Sequence, residues 1–290
     1  MFMGLKLLII GADGQVSTEL ARQALDDTDI SHITQFGMDV VDLTKPLTGA
    51  DAIAKTEADV VINATAYTAV DKAEEDEDRA LLINGEGPKV MAEAAQAKGI
   101  PFLHISTDYV FEGGGTERWL ETDPTGPLGA YGRTKLVGEE AVIAAGGVHG
   151  ILRTSWVFSA HGANFVKTML KLAETRDSLN VVNDQIGGPT AAADIAESLL
   201  IMAKAYARGE GESGVFHYAG APDASWADFA SEIFTQADKT MTVTGIPTSA
   251  YPTPATRPLN SRLDCQKIAQ VFGIPTPDWR KSLSDVLKEL

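Results

Sequence analysis

Leu5-Lys6-Leu7-Leu8-Ile9-Ile10-Gly11-Ala12-Asp13-Gly14-Gln15-Val16-Ser17 is the stretch that decides the fold. Its apolar run is too short to span a membrane and runs straight into a glycine turn, so it reads as a strand, Lys6 to Ile10. The pattern that follows, from Val16 to Leu25, repeats apolar residues at three and four positions, as an amphipathic helix does. A strand, a glycine turn and a helix N-terminus together offer backbone amides and the positive end of a helix dipole to a pyrophosphate. Gly11 allows the tight turn and Gly14 the close approach of phosphate. The third glycine of the fingerprint is replaced by Ser17, whose side chain is expected to push the helix outward. An ordinary strand-to-helix turn is the alternative, but the placement at the first βα junction is what a dinucleotide site requires.

Outward from this stretch the same rhythm recurs. Short β-branched runs at Ile33 to Phe36, Val60 to Asn63, Phe102 to Ser106 and Gly150 to Arg153 alternate with helical patterns at Arg79 to Lys98 and Tyr131 to Ala145. Such alternation predicts an α/β fold, a Rossmann-type doubly wound parallel sheet, with a smaller C-terminal substrate-binding lobe. The expected division is a dinucleotide-binding domain over residues 1-156 and a mainly substrate-binding lobe over 157-290. The segment from about 191 to 219 reads as helix then strand and is expected to return to the first domain. Glycine and proline at 187–189 and 247–258 mark loops in the second part.

Composition narrows the function classes. Hydrophobic residues make up 44% and charged residues 22% of the 290, which is ordinary globular usage. The net charge of -16 opposes general attraction to nucleic acid, while a small phosphorylated ligand is still allowed by local donors. The single cysteine, Cys265, excludes an intrachain disulfide and suits a reducing compartment; a buried inert thiol is expected. The expectation is therefore a cytoplasmic protein without nucleic-acid or membrane partners. His104, His149, His161 and His217 lack metal-ligand spacing and are assigned no metal. The acidic run from Asp71 to Asp78 reads as a solvated helix start.

Tyr131-Gly132-Arg133-Thr134-Lys135 places a phenol and an ammonium four residues apart, on one face of a helix. Free tyrosine titrates near 10, and a neighbouring ammonium favours its phenolate. At about 4 Å and an effective dielectric near 20 the two charges interact by roughly 4 kcal/mol before desolvation. The spacing also occurs on ordinary solvated helices. What raises it to a catalytic candidate is Ser106-Thr107-Asp108 at the C-terminal end of the preceding strand, where α/β folds place ligands; Thr107 is set to donate to the same substrate oxygen. No acidic residue closes the second strand to hold a ribose 2′-hydroxyl and no arginine follows to hold a 2′-phosphate; Gln35, Phe36 and Gly37 stand there. Asp39, with Val40 beside it, is the next candidate, on the adenine side.

These residues resemble a family, the extended short-chain dehydrogenases, and within it the dTDP-4-dehydrorhamnose reductases. The similar stretches are Gly11 to Val16, Asn63 to Glu74, Ser106 to Phe111, Tyr131 to Lys135, Arg153 to Phe158, Asp184 to Thr190 and Arg257 to Ser261, which together span essentially the whole chain. The resemblance implies transfer of hydride from a nicotinamide to the C4 keto carbon of a dTDP-linked 6-deoxy-4-keto sugar. It implies that Tyr131 protonates the oxygen, that Lys135 also holds the nicotinamide ribose and that Thr107 orients the carbonyl. Gly11, Asp13, Gly14, Gln15, Val16, Ala64, Thr65, Ala66 and Tyr67 would meet the cofactor, NADPH slightly ahead of NADH. Asp108, Tyr109, Trp156 and Arg257 join Thr107 and Tyr131 as substrate-binding candidates. Trp156 reads equally as a core tryptophan, and Arg257 and Arg262 equally as members of surface ion pairs.

Related 4,6-dehydratases follow the threonine with an Asp-Glu pair, whereas Asp108 is followed here by Tyr109, which disfavours elimination. An epimerase uses the same Thr, Tyr and Lys types, and a non-catalytic nucleotide-binding regulatory subunit shares the fold. Some relatives bind magnesium at a dimer contact. Glu19 matches one position of that site, but Thr190 to Asp194 preserves the acidic partners poorly, so no metal is predicted. A homodimer is an open expectation.

Overall fold

The computed structural model describes residues 4–290. Its centre is a six-stranded sheet, built from β1 (Leu5–Ile10), β2 (Ile30–Phe36), β3 (Val60–Asn63), β4 (Phe102–Thr107), β5 (His149–Thr154) and the strand Gly214–His217. Every neighbouring pair is parallel, and the spatial order runs β2, β1, β3, β4, β5, Gly214–His217. The chain therefore moves outward from β1 to the edge at β2 and returns on the other side at β3. The crevice beyond the ends of β1 and β3 is the switch point at which open α/β sheets bind ligands.

Both faces of the sheet are covered, and β1 shows why its sequence lacks a polar alternation. Leu5, Leu7 and Ile9 point into a core shared with Val16, Leu20 and the helix Ala192–Ala207. Leu8 and Ile10 point the other way, against Ile53, Met91, Ala95 and Val142. Each such side chain contributes roughly 1.5–3 kcal/mol by leaving water. Helix Gln15–Asp26, designated α1, lies beside Ala192–Ala207 on the first face, and the strand Gly214–His217 pairs in parallel with β5. A separate apolar cluster forms among Phe158, Met169, Val181, Phe229, Ile233 and Trp279, from the helices Phe165–Leu172, Trp226–Gln236 and Trp279–Glu289. The strand Ser178–Val182 pairs there in parallel with Thr242–Ile246.

Three features depart from the reading of the sequence. The helical pattern from Arg79 to Lys98 is interrupted by a π-helical turn at Leu82–Glu86, between the helices Glu77–Leu81 and Gly87–Lys98. Periodicity alone does not resolve such a turn, because one inserted residue only rotates the apolar stripe. A helix at Leu47–Lys55 was not anticipated; its short apolar pattern is interrupted by Gly49, whose added Cβ would meet Met91 Cγ at 2.8 Å. Ser17 does not act as an unaccommodated wedge: it is fully buried and its hydroxyl donates to the Gly14 carbonyl at 2.9 Å. Among the described residues no helix is long and apolar enough to cross a membrane.

Candidate active site

Gly11 adopts φ +116°, a conformation that L side chains rarely reach. A Cβ there would stand 3.1 Å from Thr65 Cγ2 and 3.3 Å from the Ala64 carbonyl oxygen. The glycine turn and the Ala64–Tyr67 segment are thus apposed, one from each side of the switch point. Gly14 caps α1 without any side-chain hydrogen bond, and Asp13 and Gly14 are exposed, so the first amides of the helix face the crevice. Gln35 does not face this opening with a charge; its amide donates to the carbonyls of Gly11 at 3.0 Å and Ser17 at 3.2 Å and braces the turn. Gln15 accepts from Asn164 at 2.9 Å, and Val16 is buried in the sheet core. Asp39 is exposed with its carboxylate beside Gly37, and Val40 lines a groove of about 530 Å³ along the edge strand β2, away from the catalytic candidates.

Thr107 ends β4, and Tyr131 and Lys135 lie one turn apart on the helix Ala130–Ala144. The helix reaches the strand end because position 132 has no side chain: a Cβ on Gly132 would fall 2.2 Å from the Tyr109 carbonyl oxygen. The Thr107 hydroxyl bears on the Tyr131 phenol, favouring its charged form, accepts the Tyr109 amide at 3.2 Å and donates to Asp108 Oδ1 at 3.0 Å. Tyr131 meets Tyr109 edge to face, with centroids 5.5 Å apart, and shares with Tyr67 a small cluster of Ala73, Ala80 and Ala130.

Electrostatics differ from what spacing suggested. Burial pushes the Tyr131 phenol up rather than down, helped by the Asp108 charge. The Lys135 ammonium does not offset this, because its Nζ lies 2.6 Å from the Ile105 carbonyl and 3.1 Å from His104 Nε2. Lys135 is fully buried, and desolvation brings it down to about 8. Tyr131 is consequently held as a neutral acid with a cation one turn away. Asp108 is buried, its Oδ2 has no partner, and desolvation raises its carboxyl to about 6 even though Thr107 donates to Oδ1. Burial likewise pushes the Tyr109 phenol up to about 12.

The C-terminal part supplies one wall. Arg257 donates to Asp71 Oδ2 at 2.7 Å and lies 3.5 Å from the Tyr109 hydroxyl, so it borders the site while held in an ion pair. Arg262 pairs instead with Asp223 and Asn260. Trp156 takes φ +50° and stacks on Trp226 with centroids 3.7 Å apart, half-buried above Gly187, so it is a packed aromatic with one accessible side.

Several residues acquire a place that sequence reading did not give them. Glu74 Oε1 accepts the Ala130 amide at 2.8 Å, and Glu77 pairs with Arg133 at 2.9 Å through both nitrogens. The acidic run 71–78 is thus not merely solvated; with Asp71 it clamps the helix that carries Tyr131 and Lys135, and Arg257. Its carboxylates carry no periodic signal of this, since their partners lie more than fifty residues away. Asn84, in the π-helical turn, bonds both the amide and the carbonyl of Tyr67 and also Thr134. Only the unusual Asn-Gly-Glu-Gly run inside a helical pattern hinted at it. Glu19, His161 and Glu289 bring ligand atoms within 4.8 Å of one another, but Glu19 is already bound by Arg22 at 2.6 Å. Cys265 is buried, and burial pushes its thiol up to about 11.

A parallel sheet with a glycine turn at its switch point and a Thr–Tyr–Lys set at the end of the fourth strand defines a Rossmann-type oxidoreductase of the extended short-chain dehydrogenase class. The comparisons agree. A family model described as RmlD substrate binding domain matches residues 5–290. The dTDP-4-dehydrorhamnose reductase of Sinorhizobium fredii is 43% identical, covering 96% of this chain and 95% of its own. That of Escherichia coli K12 is 38% identical over 99% and 98%. Among solved structures, a dTDP-4-dehydrorhamnose reductase from Bacillus anthracis in complex with NADP superposes with a TM-score of 0.92 at 31% identity, covering 99% of this chain and 100% of that one. The chain belongs to the dTDP-4-dehydrorhamnose reductase family.

Proposed function

We propose that this protein reduces the C4 keto group of dTDP-4-dehydro-L-rhamnose to give dTDP-L-rhamnose, in nucleotide-sugar and cell-surface polysaccharide biosynthesis. The observation that carries the reading is the convergence of Thr107 and Tyr131 at the end of β4, beside the segment that abuts the Gly11 turn.

The residues present fit a dinucleotide. Gly11 lies where a Cβ would crowd Thr65 and Ala64, and α1 begins with uncapped amides. Gly11, Asp13, Gly14, Gln15 and Val16 would hold the phosphates. Ala64, Thr65, Ala66 and Tyr67 would line the cleft, Lys135 would hold the nicotinamide ribose, and Asp39 and Val40 would lie toward the adenine. NADPH is favoured over NADH: Gln35 stands where a carboxylate would repel a 2′-phosphate, and the similar B. anthracis protein was crystallised with NADP. When bound, the reduced nicotinamide supplies the hydride.

Everything else falls to the chain. Tyr131, held neutral by burial, delivers its proton to the carbonyl oxygen as negative charge develops there. Thr107 hydrogen-bonds the same oxygen and orients the carbonyl. Asp108 and Tyr109 face the sugar, Trp156 offers it an apolar side, and Arg257 meets the diphosphate with a guanidinium fork. The sheet domain over residues 1-156 serves as the dinucleotide lobe and the 157-290 region mainly as the substrate lobe. We further infer a cytoplasmic setting and a homodimer.

The deciding experiment incubates the purified protein with NADPH and the dTDP-4-keto-6-deoxy sugar. Nicotinamide absorbance is expected to fall in step with formation of dTDP-L-rhamnose. Tight nucleotide binding without oxidation would move the protein to a non-catalytic role, and turnover without added nucleotide would make it an epimerase.

A further inference from the structure

Trp156 is held in a backbone conformation that its own residue type disfavours. Its φ of +50° lies in the left-handed region, where a bulky side chain is rarely found, and apart from Asp238 no other described non-glycine residue takes a positive φ. The neighbouring backbone fixes this turn on both sides. The Ser155 hydroxyl donates to the Gly188 carbonyl at 2.8 Å, and the Trp156 carbonyl accepts the Thr190 amide at 3.3 Å. Strain of this kind persists only where the surroundings over-determine it, and it gathers at sites that need a fixed side chain.

The side chain is fixed by Trp226. The two indoles stack with centroids 3.7 Å apart and planes 11° from parallel. Strand pairing explains why they meet: Ala224–Ser225 runs antiparallel to Ile186–Gly187, and this delivers Trp226, the next residue, beside Gly187, where a Cβ would stand 3.0 Å from Trp156 Cε2. Trp226 is itself immobilised. It opens the helix Trp226–Gln236, which Ser225 and Asp228 cap with reciprocal hydrogen bonds; its Nε1–H donates to Gln185 Oε1 at 3.1 Å, and Phe165 packs against its ring at 4.7 Å.

Trp119, Trp226 and Trp279 each donate the indole N–H to a protein oxygen. The Trp156 N–H donates to none among the described residues, although the ring is half-buried. Core packing does not explain an indole held this firmly without its hydrogen bond, because buried tryptophans ordinarily find an acceptor. Trp156 follows two residues after Thr154, the β5 partner of Thr107, and so stands at the strand ends where α/β folds take ligands.

We propose that Trp226 is a positioning residue for sugar recognition: its stack holds the Trp156 indole in the orientation from which the free N–H donates to a hydroxyl of the nucleotide-linked sugar. The inference rests on the reductase reading above. Trp226 touches no substrate and acts through Trp156. A hydrogen bond is directional, so an indole free to turn about its side-chain torsions loses alignment with the hydroxyl. A ring stacked beforehand has given up that freedom before the sugar arrives, which lowers the cost of binding. The effect falls on the sugar and not on the diphosphate, which the reading above assigns to Arg257.

Binding measurements decide it. Trp226→Leu removes the stack and should weaken dTDP-L-rhamnose by roughly tenfold, the effect of losing about one hydrogen bond, while the affinities for dTDP alone and for NADPH hold. In turnover, KM for the keto sugar should rise with kcat changed far less. Trp226→Phe keeps an aromatic face and should recover most of the affinity. Trp156→Phe removes the donor, and on that background Trp226→Leu should cause no further loss of sugar affinity. The proposal is overturned by a folded Trp226→Leu variant that binds the sugar nucleotide like the wild type, that loses dTDP equally, or whose loss adds fully to that of Trp156→Phe. If the leucine variant does not fold, the wild type decides: the near-ultraviolet circular dichroism of the stacked indoles should change with dTDP-L-rhamnose and not with dTDP, and an unchanged spectrum overturns the proposal. A wild type that reduces no keto sugar overturns the reductase reading instead, whereas an active wild type beside an unaffected Trp226→Leu variant sinks only this inference.

Discussion

Glu74 Oε1 accepts a 2.8 Å hydrogen bond from the backbone amide of Ala130, the first residue of the helix that carries Tyr131 and Lys135. A carboxylate at this place satisfies one of the free amides of the helix start and complements its dipole. Gly129 precedes it without a side chain, and a Cβ there would lie 2.5 Å from that same oxygen. The position of the phenol thus depends on an acidic residue more than fifty positions earlier.

Glu74→Ala is accordingly expected to destabilise the protein by about 1 kcal/mol, the usual worth of a helix cap. It should also lower kcat several-fold by loosening Tyr131. Thermal unfolding and steady-state kinetics check this, with Glu74→Gln keeping the acceptor and most of the activity. Equal losses in both variants would mean that charge rather than the hydrogen bond matters.

Tyr131→Phe removes the proposed proton donor while keeping the ring against Tyr109 and Tyr67. Turnover should fall by roughly 10²–10⁴-fold, with NADPH affinity nearly unchanged when followed by nucleotide fluorescence. Near-normal turnover would remove Tyr131 from the chemistry.

Gly132→Ala places a methyl about where the Tyr109 carbonyl oxygen now sits, at 2.2 Å. Backbone faces backbone there, so no side chain can yield, and a cost of roughly 1–3 kcal/mol is expected from overpacking. Because the clash pushes the helix away from Thr107, kcat/KM should fall further than stability explains. A variant with wild-type kinetics would show that the close approach is dispensable.

Asp108 offers a pH test. Its folded value of about 6 lies above the ordinary 3.8, so its contribution to stability is fully present below pH 3.8 and is lost as pH rises toward about 6. Asp108→Asn carries no titrating group and should flatten the decline in denaturation midpoint across that window. If the decline persists unchanged, the buried carboxyl is not its source.

Arg257→Ala should raise KM for the nucleotide sugar with little change in NADPH binding, since Arg257 borders Tyr109 rather than the glycine turn. The variant also releases Asp71, so Asp71→Asn is the needed comparison. Only the arginine change should weaken the substrate strongly.

Local chemistry was written in the sequence wherever one short stretch contains its own cause. The β1 run, the Gly11 turn and the Tyr131–Lys135 spacing each express a backbone or helical period that a few consecutive residues settle, and all lie where that reading puts them. Tertiary structure alone decided that Lys135 bonds to His104 and Ile105, that the acidic run clamps the helix carrying Tyr131, that a π-helical turn aims Asn84 at Tyr67, and that Ser17 closes on Gly14. These contacts, Ser17 apart, join residues distant in the chain through directional hydrogen bonds whose lengths depend on how helices settle on the sheet. Periodicity says which face a residue occupies; the partner waiting on that face is fixed only when the layers pack.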